Sequence, residues 1–228
     1  MKSIEAKGLS AMRAGRTILH PTDLSFAPGD RIGLVGPSGS GKSTLCHALV
    51  DQLQARGVAV AHVPQSPDEA LDPLRRLDFH WSQAERALGL APDAARRAQL
   101  LRALDLEGRP LNVRPWGWSR GMQQRFVIAL ALLASPALLV LDEPTSALDP
   151  IVAATTLELV EAQAARTGTT LLIVTHDLGL AAARARRLLV LHEGKLVEDS
   201  DTGTLLTKPQ STAAQALVAH RNWADLPC

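Results

Sequence analysis

Short aliphatic runs alternate along the chain with longer segments whose apolar positions recur every three or four residues. That alternation is the mark of an α/β protein with a largely parallel sheet. Buried-strand patterns run from Arg31 to Val35, Val58 to Val63, Leu138 to Asp142, Thr170 to Thr175 and Leu188 to Leu191. Helical spacing predicts helices over Lys42 to Gln54, Gln123 to Ala134, Ile151 to Arg166 and Leu178 to Arg184. The first thirty residues alternate more weakly, consistent with an antiparallel strand group that ends at the Ala27-Pro28-Gly29-Asp30 turn. Between Pro67 and Pro115 the character changes to Leu, Ala and Arg at helical spacing (Trp81, Ala84, Leu88; Leu100, Leu101, Leu104). This predicts a helical subdomain, over about 67–118, inserted into the sheet domain. The expected organisation is one domain over 1–228, with an antiparallel β region at 1–30 and a C-terminal tail at 200–228.

Composition narrows the function classes. The 228 residues suffice for a real core, and 24 Lys+Arg against 23 Asp+Glu leave a net charge of +1. A chain that holds nucleic acid by bulk charge usually carries a basic excess, so nucleic acid is not an expected partner. Four Trp, three Phe and no Tyr argue against a base-stacking platform and predict a core of Leu, Val, Ile and Ala. Cys46 and Cys228 imply no disulfide framework, and Cys46 reads as a small core residue. The segment Met1 to Ser10 has no apolar stretch of the secretory kind. The most apolar stretch, Phe126 to Leu141, is shorter than the ~20 residues of a spanning helix and is broken by Ser135-Pro136. Any membrane role is therefore expected through partner chains. The histidines His20, His47, His62, His80, His176, His192 and His220 are dispersed without metal-ligand spacing.

One loop carries the strongest chemical signal. Gly36-Pro37-Ser38-Gly39-Ser40-Gly41-Lys42-Ser43-Thr44 fits G-x-x-x-x-G-K-[ST], directly after an aliphatic strand and directly before a helical pattern. Gly36, Gly39 and Gly41 allow the loop to wrap with its N–H groups inward, the new helix offers its positive end, and Lys42 adds a cation toward the terminal phosphates. Ser43 places its hydroxyl for Mg²⁺; Ser38 and Thr44 complete the nucleotide-binding candidates. A second strand, Leu138 to Leu141, ends in Asp142-Glu143-Pro144 and places two acids where open α/β sheets bind ligands. Asp142 can hold the Mg²⁺ shell through water, and Glu143 can take a proton from, or polarise, an attacking water.

In this order the motifs resemble those of the ATP-binding-cassette family of ATPases, and the resemblance covers essentially the whole chain. It implies a P-loop NTPase core with a mainly parallel sheet, an N-terminal antiparallel β subdomain and an inserted α-helical subdomain. It implies that Gln65, after the second strand, touches Mg²⁺ and the attacking water, and that His176 is the switch histidine holding the γ-phosphate. Ser119-Arg120-Gly121-Met122-Gln123-Gln124-Arg125 matches the family signature, and Ser146-Ala147-Leu148-Asp149 its aspartate loop. With a helix starting near Gln123, Ser119 and Gly121 would precede it and form a second anion site. In the family that site binds the γ-phosphate held by an opposite subunit, which implies two ATPase subunits head to tail around ATP and Mg²⁺. The stretches Val63 to Pro67 with Ala70-Leu71-Asp72-Pro73, and Gly121 to Arg125 with Ile128 to Leu132, look most like the ATPases of peptide and nickel importers. The implied role is ATP-driven transport of peptide, nickel or a metal chelate through permease subunits, with a separate solute-binding protein, on the cytoplasmic face of the inner or plasma membrane. The alternative is a soluble ATPase of the same family in a multi-enzyme complex such as carbon–phosphorus lyase.

Four departures stand out. Arg120 occupies a place where the family usually has glycine: a side chain there either obstructs a close approach to phosphate or swings out and helps. This asymmetry favours a heterodimer with a different ATPase chain, a homodimer being the alternative. Trp116 and Trp118 alternate as a strand-like pair would, packing the helical subdomain, or else face a partner. Lys208-Pro209-Gln210-Ser211-Thr212 retains only the proline and a hydroxyl of the His-Pro-Tyr-Thr pattern of the importer branch. Finally, the aromatic on which the family stacks adenine is missing, since no aromatic occurs between Met1 and Phe26. Met12 or Arg13 is expected to cover the base, with His20 a weaker substitute, and discrimination between ATP and GTP is expected to be poor.

Overall fold

The computed structural model describes residues 3–146 and 148–219. The elements follow in the order β1 (Ile4–Arg13), β2 (Arg16–Phe26), β3 (Arg31–Val35), α1 (Lys42–Ala55), β4 (Val60–Val63), α2 (Leu77–Ala87), α3 (Ala94–Ala103), α4 (Arg120–Leu133), β5 (Leu138–Asp142), α5 (Pro150–Thr167), β6 (Thr170–Thr175), α6 (Leu178–Arg184), β7 (Arg187–His192), β8 (Lys195–Asp201), α7 (Thr202–Thr207) and α8 (Thr212–Ala219). Two compact units result, one from Met1–Val58 with Thr170–Cys228, the other from Ala59–Thr169.

In the first unit β3 lies between β6 and β7, parallel to both, with Leu34 opposite Val174 and Leu189. Every residue of β6 is buried, as is Ile32 to Val35 of β3, which is why these strands read as continuous apolar runs. β8 closes the edge antiparallel to β7. There the Arg187 guanidinium forks onto Asp199 with two 2.6 Å bonds, and this hydrogen bonding lifts its pKa above the ordinary arginine value. β1 and β2 form an antiparallel pair through a turn at Ala14 and Gly15, both at positive φ. α1 buries Leu45, Cys46, Leu49 and Leu53 in one stripe and packs on β1. Cys46 is fully buried, as its sequence setting implies.

In the second unit β4 and β5 pair in parallel, and α2, α3 and α4 form the helical region. Trp81, fully buried, lies 6.1 Å from the Phe126 ring of α4, and Trp118 meets the same ring edge-on at 5.6 Å. The Trp81 indole N–H donates to Glu85 Oε1 at 2.8 Å, which lets a carboxylate sit inside the packed region.

Several boundaries differ from the sequence reading for local reasons. β4 begins at Val60, not Val58, because Gly57 N–H donates to Gln54 and Val58 N–H to Leu53, spending both residues on closing α1. α4 begins at Arg120, not near Gln123, because the Ser119 side chain caps it by accepting from Met122 N–H at 3.3 Å. Trp116 and Trp118 form no strand: Pro115 starts a 3₁₀ turn through Gly117 that separates them, burying Trp118 and leaving Trp116 71% exposed. The described part of the tail, residues 200–219, is largely helical, through α7 and α8; His220 and Cys228 lie outside the described residues.

Replacing Trp81 with Phe removes the indole donor and leaves the buried Glu85 carboxylate without that bond. The expected loss is about 1–3 kcal/mol, read as a lower midpoint in thermal or urea unfolding. An unchanged midpoint would show that Glu85 finds compensation elsewhere.

Candidate functional site

In the first unit the glycine-rich loop is shaped by backbone pressed against backbone. A Cβ at Gly36 would lie 2.1 Å from the Leu191 carbonyl oxygen, so no other residue fits there. Gly41 caps α1 at φ 101, a conformation that side chains disfavour. Behind the loop stands the β7–β8 turn: Gly194 N–H donates to Ser40 O at 2.9 Å, and His20 N–H donates to Gly194 O at 2.8 Å. A Cβ at Gly194 would sit 2.2 Å from Ile18 O, so this turn is wedged between β2 and the loop.

Lys42 is 8% exposed and its ammonium donates to the loop's own carbonyls, to Gly36 O at 2.8 Å and Pro37 O at 3.1 Å. The cation is thus stationed over the loop, at the start of a fourteen-residue helix. Ser38, Gly39 and Ser43 are exposed, Thr44 half-buried, and among the described residues the buried Ser40 hydroxyl has no hydrogen-bond partner. An orphaned hydroxyl, a stationed ammonium and the first N–H groups of α1 suit a polyphosphate, and the exposed Ser43 hydroxyl suits the cation that accompanies it.

His176 follows the end of β6 and is exposed; Asp177 beside it caps α6, accepting from Gly179 N–H at 2.7 Å and Leu180 N–H at 3.1 Å. Pro37 and His176 to Gly179 share the walls of one open cleft of about 380 Å³, so the structure brings the histidine loop and the phosphate loop together. Met12, 71% exposed, and Arg13 lie at the tip of β1, pairing with Thr17 and Arg16. Of the base-contact candidates, His20 is the one bonded through its backbone to the turn that supports the loop.

In the second unit, the parallel register sets Val63 of β4 opposite Leu141 of β5. Gln65 and Glu143 each follow that pair by two residues and leave the sheet at the same edge. Asp142 is 6% exposed, Glu143 half-buried and Gln65 exposed. Glu143 holds φ at 44, a left-handed conformation that costs about 1–3 kcal/mol in a non-glycine residue, and its carbonyl accepts from Ser146 N–H at 3.1 Å. The chain therefore turns sharply at the second acid.

The signature differs from the sequence expectation in one respect. Ser119 precedes α4, but Gly121 lies inside its first turn, where a Cβ would meet Val152 Cγ1 of α5 at 2.5 Å. Its glycine is required by helix packing. Arg120 needs no glycine-like backbone, being the first helical residue; its guanidinium swings out and pairs with Asp68 at 2.6 Å, beside the turn after Gln65. Asp149 caps α5 by accepting from Val152 N–H at 3.0 Å, while Ala147 lies outside the described residues. Sequence reasoning missed Gln124, a buried amide that donates to Pro64 O at 3.4 Å next to Gln65. Its signal was available: two adjacent glutamines at helical spacing from Phe126 and Ile128 on an otherwise apolar face.

Comparison with known proteins agrees with this arrangement. The family model described as ABC transporter matches residues 19–146. The chain is similar to the nickel import ATP-binding protein NikD of Rhodospirillum rubrum, 38% identical over 89% of this chain and 87% of that protein. It is also similar to the L-cystine transport system ATP-binding protein TcyN of Escherichia coli, 31% identical over 92% of this chain and 94% of that protein. A solved structure of an ATP-binding subunit of an ABC transporter matches with a TM-score of 0.76 and 26% identity, covering 94% of this chain and 97% of that one. With a P-loop NTPase α/β fold, a phosphate-shaped loop and relatives matched over nearly their full length, the chain belongs to the ABC transporter family and is one of its ATP-hydrolysing cassettes.

Proposed function

We propose that this cassette is the ATP-binding subunit of an importer, peripheral on the cytoplasmic face of the inner or plasma membrane, that drives partner permease subunits supplied by a solute-binding protein. The observation that carries the nucleotide-binding part of this reading is the stationed Lys42 ammonium over a loop whose shape is held from behind, and likeness to nickel-import and cystine-transport relatives supports the importer part. Loop N–H groups from Gly36, Ser38, Gly39 and Gly41, with Lys42, Ser43 and Thr44, hold the nucleotide phosphates. Mg²⁺, when bound, neutralises charge on the terminal phosphates, with Ser43, Gln65 and Asp142 as its holders. Glu143 takes the proton of the attacking water, Gln65 orients that water, and His176 contacts the γ-phosphate. Met12, Arg13 or His20 covers the base.

Ser119 and Gly121 at the start of α4 serve the nucleotide of a second cassette, so that ATP closes the pair and hydrolysis reopens it. Arg120, engaged by Asp68, makes this chain's signature unlike a glycine-bearing one, which favours a pair of two different chains. The cargo class is nickel, a metal chelate or peptide; likeness to a nickel-import relative supports the first two. The cargo ion or molecule is substrate of the permease, and no group of this chain is assigned to it.

Glu143→Gln keeps shape and removes the base, so ATP turnover should fall by about 10²–10⁴-fold with nucleotide binding retained. Full turnover in that variant excludes Glu143 as the base. Lys42→Ala removes a charge-assisted partner of the phosphates, and nucleotide affinity should drop roughly 10- to 100-fold in a titration. Arg120→Gly frees the signature from Asp68; ATPase activity of the cassette should rise, and unchanged or lower activity would mean that the arginine is no impediment.

A further inference from the structure

Glu198 is a buried carboxylate that the family motifs leave without a task. It lies on β8, 8% exposed, and accepts from the N–H groups of Gln210 and Ser211 at 3.1 and 2.9 Å and from the Ser211 hydroxyl at 3.0 Å. Ser211 Oγ in turn accepts from Ala214 N–H at 3.1 Å, capping the first turn of α8. The single hydroxyl retained from the importer branch's C-terminal pattern is therefore the joint between β8 and the last described helix. Three bonds onto one buried carboxylate fix where α8 starts.

α8 is packed along one face. Its Ala213, Ala214 and Leu217 pack into the apolar cluster of Val35, Leu178 and Ala181. Val35 immediately precedes the phosphate loop, and Leu178 is two residues beyond His176. Ala213, Ala216 and Leu217 also form one wall of the cleft whose other walls are Pro37, His176 to Gly179 and His192. The loop carrying the histidine, anchored on its far side by Asp177 capping α6, has α8 as its apolar backing.

We propose that Glu198 and Ser211 are positioning residues: by fixing α8 against Leu178 they set the orientation of the His176 loop for hydrolysis. The inference rests on the role given to His176 above. Neither residue touches nucleotide; they act through the helix they hold.

The test combines two readouts on the full chain. Native-state hydrogen exchange at the Gly179, Leu180 and Ala181 amides should speed up at least about tenfold in Glu198→Gln and in Ser211→Ala, and stay near the original rate in Ser211→Thr, which keeps the hydroxyl. ATPase kcat should fall several-fold in the first two variants with KM for ATP within twofold, because the phosphate loop keeps its support from the β7–β8 turn. The double variant should lose no more than Glu198→Gln alone, as expected of one joint. Unchanged exchange at these amides, or accelerated exchange with unchanged kcat, overturns the proposal. His176→Ala separates the two readings: full turnover there removes the role of His176, whereas lost turnover there with unaltered kcat in both joint variants removes the positioning role alone.

Discussion

The constraint on which the first unit depends is the absence of room for a side chain behind the phosphate loop. At Gly36 and Gly194 a single added carbon would lie 2.1 and 2.2 Å from the carbonyl oxygens of Leu191 and Ile18, well inside contact distance. Interiors packed at crystal density cannot absorb such an intrusion locally. The loop's shape is thus imposed by β2 and the β7–β8 turn as much as by its own glycines. Binding of phosphate by backbone N–H groups profits from that: donors held in place by packed backbone need no reordering when charge arrives. Lys42 is part of the same economy of structure. Its bonds to Gly36 and Pro37 are charge-assisted on one side only, so a phosphate oxygen, charged itself, is the stronger acceptor and can draw the ammonium from the loop.

In the second unit the organising fact is strand register. A parallel pair that sets Val63 against Leu141 delivers the residues after each strand to a common edge, which is where Gln65 and Glu143 leave the sheet. The left-handed turn at Glu143 is unfavourable by itself and persists because burial of Leu138 to Asp142 and the Ser146 N–H bond hold the chain on both sides. Gln124 adds a second tie, from α4 to the carbonyl just before Gln65.

Most of this was legible where one local rule decides. Continuous aliphatic runs announced β3, β5 and β6 because strands covered on both faces have no polar positions to break the run. The glycine-lysine loop announced itself by spacing and context. Boundaries were less legible because they depend on who takes the last hydrogen bond: Gly57 and Val58 serve α1 instead of β4, and Ser119 starts α4 a turn before its apolar spacing becomes evident. The tryptophans misled for a related reason. Alternation at Trp116 and Trp118 mimics a strand, yet Pro115 forces a turn, and the buried one is chosen by the Phe126 ring, which is distant in sequence. Glu198 was invisible for the same cause, since its partners lie 12 and 13 residues away and match no pattern.

Arg120 stands in the signature at a position that makes no special demand on the fold. As the first residue of α4 it needs no special backbone, and its pairing with Asp68 joins two side chains that are 47% and 63% exposed. Such surface pairs contribute about 0–1 kcal/mol and weaken with salt, so stability gives little reason for the contact. A guanidinium offers the same fork to a phosphate, with more charge to meet than one carboxylate presents. The pair with Asp68 is therefore a weak hold on a guanidinium placed one residue after the Ser119 cap and at the start of a helix. What the sequence leaves open between an obstruction and a help is, in three dimensions, a side chain swung away from the helix start and engaged by Asp68.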